Sequence, residues 1–470
     1  MEAVLAIAVA ALTLIGLAIC IFKPKYAIVP VLMFFPAEQI LMGYVPAFRW
    51  QYGWVMNLAV GLVALFGVLH HFFRKERIFE GALHKVFYAI LALYIYMMIT
   101  MLWTPSPDSA EHFLKKSWAY FFLFFLVAPL LVRDLEDLKS LCVPLMVTGI
   151  AVMGLMLINP NAKFINDRFS IDLGYQVGFG QIQSNPLAIA DAGGILAIIA
   201  ALYRRNEPSA LLTMLKWTGV LLGLSLALLS GSRGQVLASV GIIAVALPFA
   251  SGSRSAVKAA GSMALVGVMV GFLYLVFSNF VIGAAQDRWG KGSSGVGERL
   301  EMIKTIMTAY FENPGQWLIG LGAGSFNAFY LFRTSAFPHW YPHNIIVESL
   351  TEYGVIGLTL VLVILYFSFR AAFRLIALAG DDRSRRTTAV IFAALILFQF
   401  MMSMKQGYLL GMPPLFMFCL IVMRVAHFEE ARHAAMLLEE YSNADAPEED
   451  ATEGENDGRD VRGAAYPGMA

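Results

Sequence analysis

Residues 3–22 read AVLAIAVAALTLIGLAICIF and are followed at once by Lys23-Pro24-Lys25 and a second apolar run. Roughly 20 apolar residues, wound at about 1.5 Å per residue, match the hydrocarbon thickness of a bilayer. The run carries Glu2 and no basic segment ahead of it, so an uncleaved membrane span is expected rather than a signal peptide. The same reading repeats outward along the chain, with runs centred near residues 35, 62, 95, 123, 148, 194, 220, 242, 271, 360, 396 and 417. Together they make about 13 candidate spans, or 12 if one of the first two does not cross fully. Composition agrees: of 470 residues, 59% are hydrophobic and only 14% charged, with a mean hydropathy of +0.67, whereas ordinary soluble domains are about 25% charged. One water-soluble core could not bury so much apolar side chain. The expected fold is an all-α polytopic membrane protein of about 12–13 transmembrane helices with a large extracytoplasmic loop containing amphipathic helices.

The 34 Lys and Arg against 33 Asp and Glu leave a net charge of +1, so no basic excess argues for nucleic acid. Charge placement carries more information than its sum. Arg74-Lys75-Glu76-Arg77, Arg133 with Lys139, Arg204-Arg205, Arg254 with Lys258, and Arg370 through Arg386 occupy every second loop, and the positive-inside rule makes those loops cytoplasmic. Thr104 to Ser117, Asn159 to Asn185, the turn at Ser230 to Gln235, the segment from about Ala284 to His343, and Lys405 to Gly411 are then expected outside. The division expected is N-terminal spans over residues 1–283, an extracytoplasmic loop region over 284–343, C-terminal spans over 344–426, and a cytoplasmic, acidic, disordered tail over 427–470. Cys20, Cys142 and Cys419 fall in apolar runs without metal-ligand spacing and read as small core residues.

The outer segment before the span near 360 is the richest in chemistry. It runs Gln286-Asp287-Arg288-Trp289-Gly290-Lys291, then Glu298-Arg299-Leu300, where Leu300, Ile303, Ile306/Met307 and Tyr310 recur at helical spacing. An amphipathic helix along the membrane surface is expected from Arg299 to near Asn313-Pro314. Gly320, Gly322 and Gly324 follow; without a strand–glycine–helix context they predict a close-packed turn and not a nucleotide loop. Then come Tyr341-Pro342-His343-Asn344 and a helix with Glu348 and Glu352 one turn apart. His343 stands directly before a long apolar helix, where an imidazole can take a proton from a hydroxyl at neutral pH. Arg233, in Ser230-Gly231-Ser232-Arg233-Gly234, is pinched between two spans on the same expected face; arginine beside hydrocarbon is expensive, and its planar guanidinium matches phosphate oxygens. Lys115 and Lys116 break the positive-inside pattern and are weaker candidates for the same anion. Read from the residues alone, a hydrogen-bonded interfacial histidine and cations reaching for lipid headgroups remain alternatives. Neither paired outer aspartates nor a His/Cys cluster with metal spacing occurs.

Ser230-Gly-Ser-Arg233-Gly, then Glu298-Arg299 with Pro314 and Ile319-Gly320-Leu-Gly322-Ala-Gly324-Ser-Phe326, then His343-Asn344-Ile345-Ile346-Val347-Glu348-Ser-Leu350-Thr-Glu352-Tyr-Gly354-Val-Ile356-Gly357 form three ordered motifs. Together they resemble the O-antigen ligase and polymerase superfamily of bacterial envelopes, as does Asn185-Pro186-Leu187 opening a span. The resemblance covers about residues 80 to 425 in topology and the quoted motifs in detail; the acidic tail and the extra N-terminal run depart from the usual plan. It implies a GT-C-like glycosyltransferase of the inner membrane, needing neither metal nor cofactor, that takes a glycan from undecaprenyl pyrophosphate on the periplasmic side. The glycan would pass with inversion to an acceptor hydroxyl on another glycan, on lipid A core or on a protein. Carried onto this chain, the resemblance gives Arg233 and Arg299 to the donor pyrophosphate and His343 to the acceptor hydroxyl; Arg288, Tyr341 and Asn344 are second-tier residues, better explained as positioning or local packing. The competing function class is a transporter or lipid-linked oligosaccharide flippase, which would place charged residues near span centres and show repeat symmetry.

Overall fold

The computed structural model describes residues 2–45, 47–50, 53–74, 78–165, 168–176, 180–207, 209–252, 261, 264, 267–268, 271, 294–330, 340–406 and 408–444. The first half is built from α1 (Glu2–Phe22), α2 (Ile28–Leu32), α3 (Phe34–Tyr44), α4 (Ala47–Trp50), α5 (Gly53–Phe73), α6 (Lys85–Thr100), α7 (Pro107–Phe121) and α8 (Leu135–Leu157). Strands β1 (Ala162–Ile165), β2 (Arg168–Gln176) and β3 (Gly180–Gln183) follow, then α9 (Pro186–Leu202), α10 (Ala210–Leu229) and α11 (Arg233–Ser251). The remainder holds α12 (Ser294–Phe311), α13 (Phe326–Phe329), α14 (Ile345–Leu378), α15 (Arg383–Ser403) and α16 (Pro413–Ala444).

This is an all-α polytopic membrane protein. Among the described residues six helices are long and apolar enough to cross a bilayer, two further helix pairs, each bent by more than 40°, have the length and composition of a broken span or a re-entrant loop, and Ile7–Phe22, Lys85–Thr100 and Pro186–Leu202 are shorter apolar helices. The span expected near residue 271 lies largely outside the described residues. Because lipid is as apolar as leucine, such helices are held by close packing rather than by hydrophobic expulsion. At Gly193 of α9 and Gly223 of α10 the backbones approach so closely that a Cβ on either would stand 2.5 Å from the other's carbonyl oxygen.

Three expectations are corrected. The outer segment Thr104 to Ser117 is not an open loop, because α7 starts at Pro107, a residue pre-set for a first helical turn. Asn159 to Asn185 carries a three-stranded antiparallel sheet in the order β1-β2-β3, with Ala162 opposite Ile171 and Asp172 opposite Gln183. Phe169, Ile171 and Leu173 alternate along β2 and are all buried, a period-two signal that the surrounding apolar runs overshadow. The sheet is tied to α3 by Asn161, whose amide donates to the Gly43 carbonyl at 2.7 Å. Finally, α12 begins at Ser294 instead of Arg299, and its buried face is Met302, Ile306, Ala309 and Tyr310, which cluster with Leu321 and Phe326. Leu300 is exposed, so the stripe is rotated from the expected one and faces protein.

Contacts divide the chain after Glu429. In the larger unit Arg424 donates to the carbonyls of Pro129 at 2.9 Å and Ile78 at 2.7 Å, tying α16 to two distant segments. In the smaller unit helix continues through Ala444, where composition predicts a disordered extension; residues 445–470 lie outside the described residues.

Candidate functional site

Gly354 decides the local architecture. It lies inside α14 at φ 65°, ψ −166°, which breaks the helix into an Ile345–Tyr353 segment and a long Val355–Leu378 segment. Only glycine adopts that backbone cheaply, and a Cβ there would collide with the Leu318 carbonyl oxygen. The amides freed by the break are not lost: Val355 N–H donates to Trp317 O at 3.0 Å and Ile356 N–H to Leu318 O at 3.2 Å. In return Leu321 N–H donates to Thr351 O and Gly322 N–H to Glu352 O, each at 2.9 Å. The glycine-rich turn is thus a backbone splice into a broken helix, as its close-packed reading anticipates. Gly320 has φ 83°, and a Cβ on it would also clash with Glu352 backbone.

The two glutamates of α14 anchor opposite sides of this splice. Glu352 is buried and accepts from Gly324 N–H at 2.7 Å and Phe326 N–H at 3.2 Å. Glu348, one turn earlier, accepts from Leu409 N–H at 2.9 and 3.0 Å. These carboxylates fix two loops, one before α14 and one before α16, around the start of α14.

At that start stands His343. Its backbone is left-handed, at φ 56°, a conformation that non-glycine residues adopt mainly at special sites. Asn344 caps α14, its side-chain oxygen accepting from Ile346 N–H at 3.1 Å and Val347 N–H at 3.0 Å, while its amide reaches Met404 O at 3.4 Å. The His343 ring sits 4.3 Å from the Tyr341 ring, centroid to centroid, and Tyr341 lies 5.2 Å from Tyr408. Phe113 of α7 closes this aromatic group at 4.7 Å from Tyr408. The Nδ1 atom of His343 is buried and makes no hydrogen bond in the structure. Burial, and next the positive charge of Arg299, push its pKa down to about 4, so the imidazole is a neutral base at pH 7.

Arg233 is the first residue of α11, directly after the buried Ser230-Gly231-Ser232 turn. Lys405 lies across the next residue: a Cβ on Gly234 would be 2.6 Å from Lys405 Cε and 2.8 Å from its Nζ. The Lys405 ammonium donates to Gln235, Gln235 donates to Gln406 at 2.5 Å, and Gln406 donates to Asp191 of α9 at 2.8 Å. Since Asn344 touches Met404 and Glu348 holds Leu409, the loop after α15 links the Arg233 turn to the His343 corner.

The structure therefore sets Tyr341 and Asn344 beside His343, whose ring feels the charge of Arg299, and ties the turn that carries Arg233 to them through Met404, Lys405 and Leu409. Lys115 is not part of this group; it is well exposed and paired with Glu111 on the surface of α7. The side chain of Lys116 and the whole of Arg288 lie outside the described residues. Among the described residues no three His, Cys, Asp or Glu side chains converge as a metal site requires. Sequence reasoning passed over Lys405, Gln235, Gln406 and Tyr408. For Lys405 a signal existed, since it too is a cation at an expected outer boundary against the positive-inside pattern.

Residues 218–362 match the family model described as O-antigen ligase. The match takes in Arg233, Arg299, the glycine-rich turn, His343 and the helix break at Gly354, the stretch that carries the three motifs. No curated protein matches the chain.

Proposed function

We propose that this membrane protein of the O-antigen ligase family transfers a glycan from undecaprenyl pyrophosphate to an acceptor hydroxyl at the periplasmic face of the bacterial inner membrane, as an O-antigen or exopolysaccharide ligase or polymerase. The observation that carries the reading is His343: a neutral imidazole with an unbonded, buried Nδ1, on strained backbone, within electrostatic reach of Arg299.

In this scheme the acceptor oxygen attacks the anomeric carbon while His343 takes the hydroxyl proton, later releasing it to water. The bond from that carbon to the pyrophosphate oxygen breaks, and its electron pair leaves with undecaprenyl pyrophosphate. Attack from the face opposite the leaving group inverts the configuration. Arg233 and Arg299 offset the charge that develops on the departing phosphate, which suits planar, permanently charged guanidinium groups. Tyr341 and Asn344 keep the imidazole in place, one by ring contact and the other by capping the helix that follows. The proposal places the site outside and the last helix's tail in the cytoplasm, with spans over 1–283 and 344–426 flanking the 284–343 region.

The test is to delete the gene and profile lipid-linked and surface glycans, complementing with wild type and with His343→Ala. Accumulated single lipid-linked repeats would identify a polymerase and accumulated full-length lipid-linked chains a ligase. An unchanged glycan profile on deletion, or full complementation by a folded His343→Ala variant, would overturn the reading.

A further inference from the structure

We propose that Lys405 is a third cation of the pyrophosphate site and the one that selects a diphosphate over a monophosphate; this rests on the donor-site reading of Arg233 and Arg299. The observation is the seat of Lys405. Its stem lies across the backbone of Gly234, and its ammonium is held by Gln235, which puts two cationic side chains, Arg233 and Lys405, on the first turn of α11. A helix N-terminus is already the positive end of the helix dipole, so cations are disfavoured there and an anion is favoured. Asp191, at the end of the chain Gln235, Gln406, Asp191, supplies one carboxylate through a hydrogen-bonded path.

A second observation points to a ligand on the same turn. Ser232, the residue that caps α11, is 3% exposed, and its hydroxyl has no hydrogen-bond partner in the structure. A buried hydroxyl left unsatisfied at the helix start, beside Arg233 and Lys405, is what a phosphate oxygen would complete. The three glutamine and aspartate side chains below Lys405 fix where its ammonium stands, so its position is built rather than swept by a free side chain. Lys405 stands at the turn of Arg233, and the charge of Arg299 is felt at His343. A diphosphate offers two phosphate groups to share among three cations, whereas a monophosphate offers one and engages fewer of them.

The test uses the purified full chain in phosphatidylcholine nanodiscs, with farnesyl pyrophosphate and farnesyl monophosphate as probes and binding measured by calorimetry. Lys405→Met keeps the stem that packs on Gly234 and removes the charge; it is expected to weaken pyrophosphate binding about tenfold or more, and monophosphate binding by much less. Lys405→Arg, which restores a cation, is expected to recover most of the loss. Should Lys405→Met not run as a monodisperse species, Lys405→Gln is read in its place. Equal weakening for both probes, or none for either, would overturn the proposal. Arg233→Ala in parallel separates the two readings: if it loses pyrophosphate binding while Lys405→Met does not, the inference on Lys405 fails and the donor site stands; if neither variant loses binding, the donor site itself fails. An effect of Lys405→Met seen only when phosphatidylglycerol is added to the nanodiscs would make Lys405 a lipid-headgroup contact and would also overturn the proposal.

Discussion

Glu352 accepts the backbone N–H of Gly324 at 2.7 Å, across 28 residues of chain, and so fastens the glycine-rich turn to the helix that His343 introduces. The same carboxylate also takes Phe326 N–H, so one buried side chain satisfies two amides that no water reaches.

Removing that acceptor should be costly. Glu352→Ala leaves both amides unpaired in a buried place and is expected to cost about 2–4 kcal/mol, while Glu352→Gln, which keeps one oxygen, should cost less. Thermal unfolding followed by size-exclusion chromatography in detergent checks the order wild type, glutamine, alanine. Equal midpoints for all three would mean the turn stands without Glu352.

The break at Gly354 makes a sharper demand. Gly354→Ala forces a side chain into the left-handed region and against the Leu318 carbonyl, where backbone strain alone costs about 1–3 kcal/mol. Expression of monodisperse protein is expected to collapse. Gly315→Ala, where nothing lies within 4 Å of a new Cβ, should be near neutral. A well-behaved Gly354→Ala protein would show that the splice between turn and helix can relax.

On the proposed mechanism, His343 sets the acid limb of activity. A histidine ordinarily titrates near 6.5, but burial and Arg299 hold this one at about 4. Its free-base form therefore persists as pH falls through 6.5 and is lost only as pH falls through about 4. The profile of kcat/KM, which reports the free enzyme, should stay flat between about pH 5 and 7 as far as this group is concerned. Arg299→Gln removes a positive neighbour, so the pKa rises and the limb should move to higher pH, alongside weaker donor binding. An anionic donor beside Arg299 acts in the same direction, so the limb in kcat should lie above that in kcat/KM. An acid limb at 6.5 in both variants would contradict the buried, neutral histidine.

Arg233→Lys keeps the charge and tests geometry. An ammonium is a point charge and cannot reproduce two parallel N–H contacts to phosphate oxygens, so transfer should fall by about tenfold or more. Normal glycan in that variant would mean that Arg233 only anchors the start of α11.

The amino-acid sequence by itself determined the solvent and the chemistry on offer. Runs of apolar residues are a local sum, legible in any window, and they made this a membrane protein; three ordered motifs carried a resemblance to the O-antigen ligase family, and His343, Arg233 and Arg299 stood out because polar groups beside hydrocarbon need a reason. Even the close-packed reading of Gly320, Gly322 and Gly324 follows from residue type alone. What only the tertiary structure decided is who meets whom. That Lys405 lies on Gly234, 171 residues before it, that Glu352 binds a turn ahead of its own helix, and that α14 breaks at Gly354 to receive that turn are consequences of helix packing. The hydropathy pattern says that a helix is buried but is almost indifferent to its rotation and neighbours, because lipid and leucine solvate an apolar face alike. Backbone amides at a helix break carry no sequence signature beyond a glycine, and a side chain that satisfies them from a distant segment is visible only once the segments are packed.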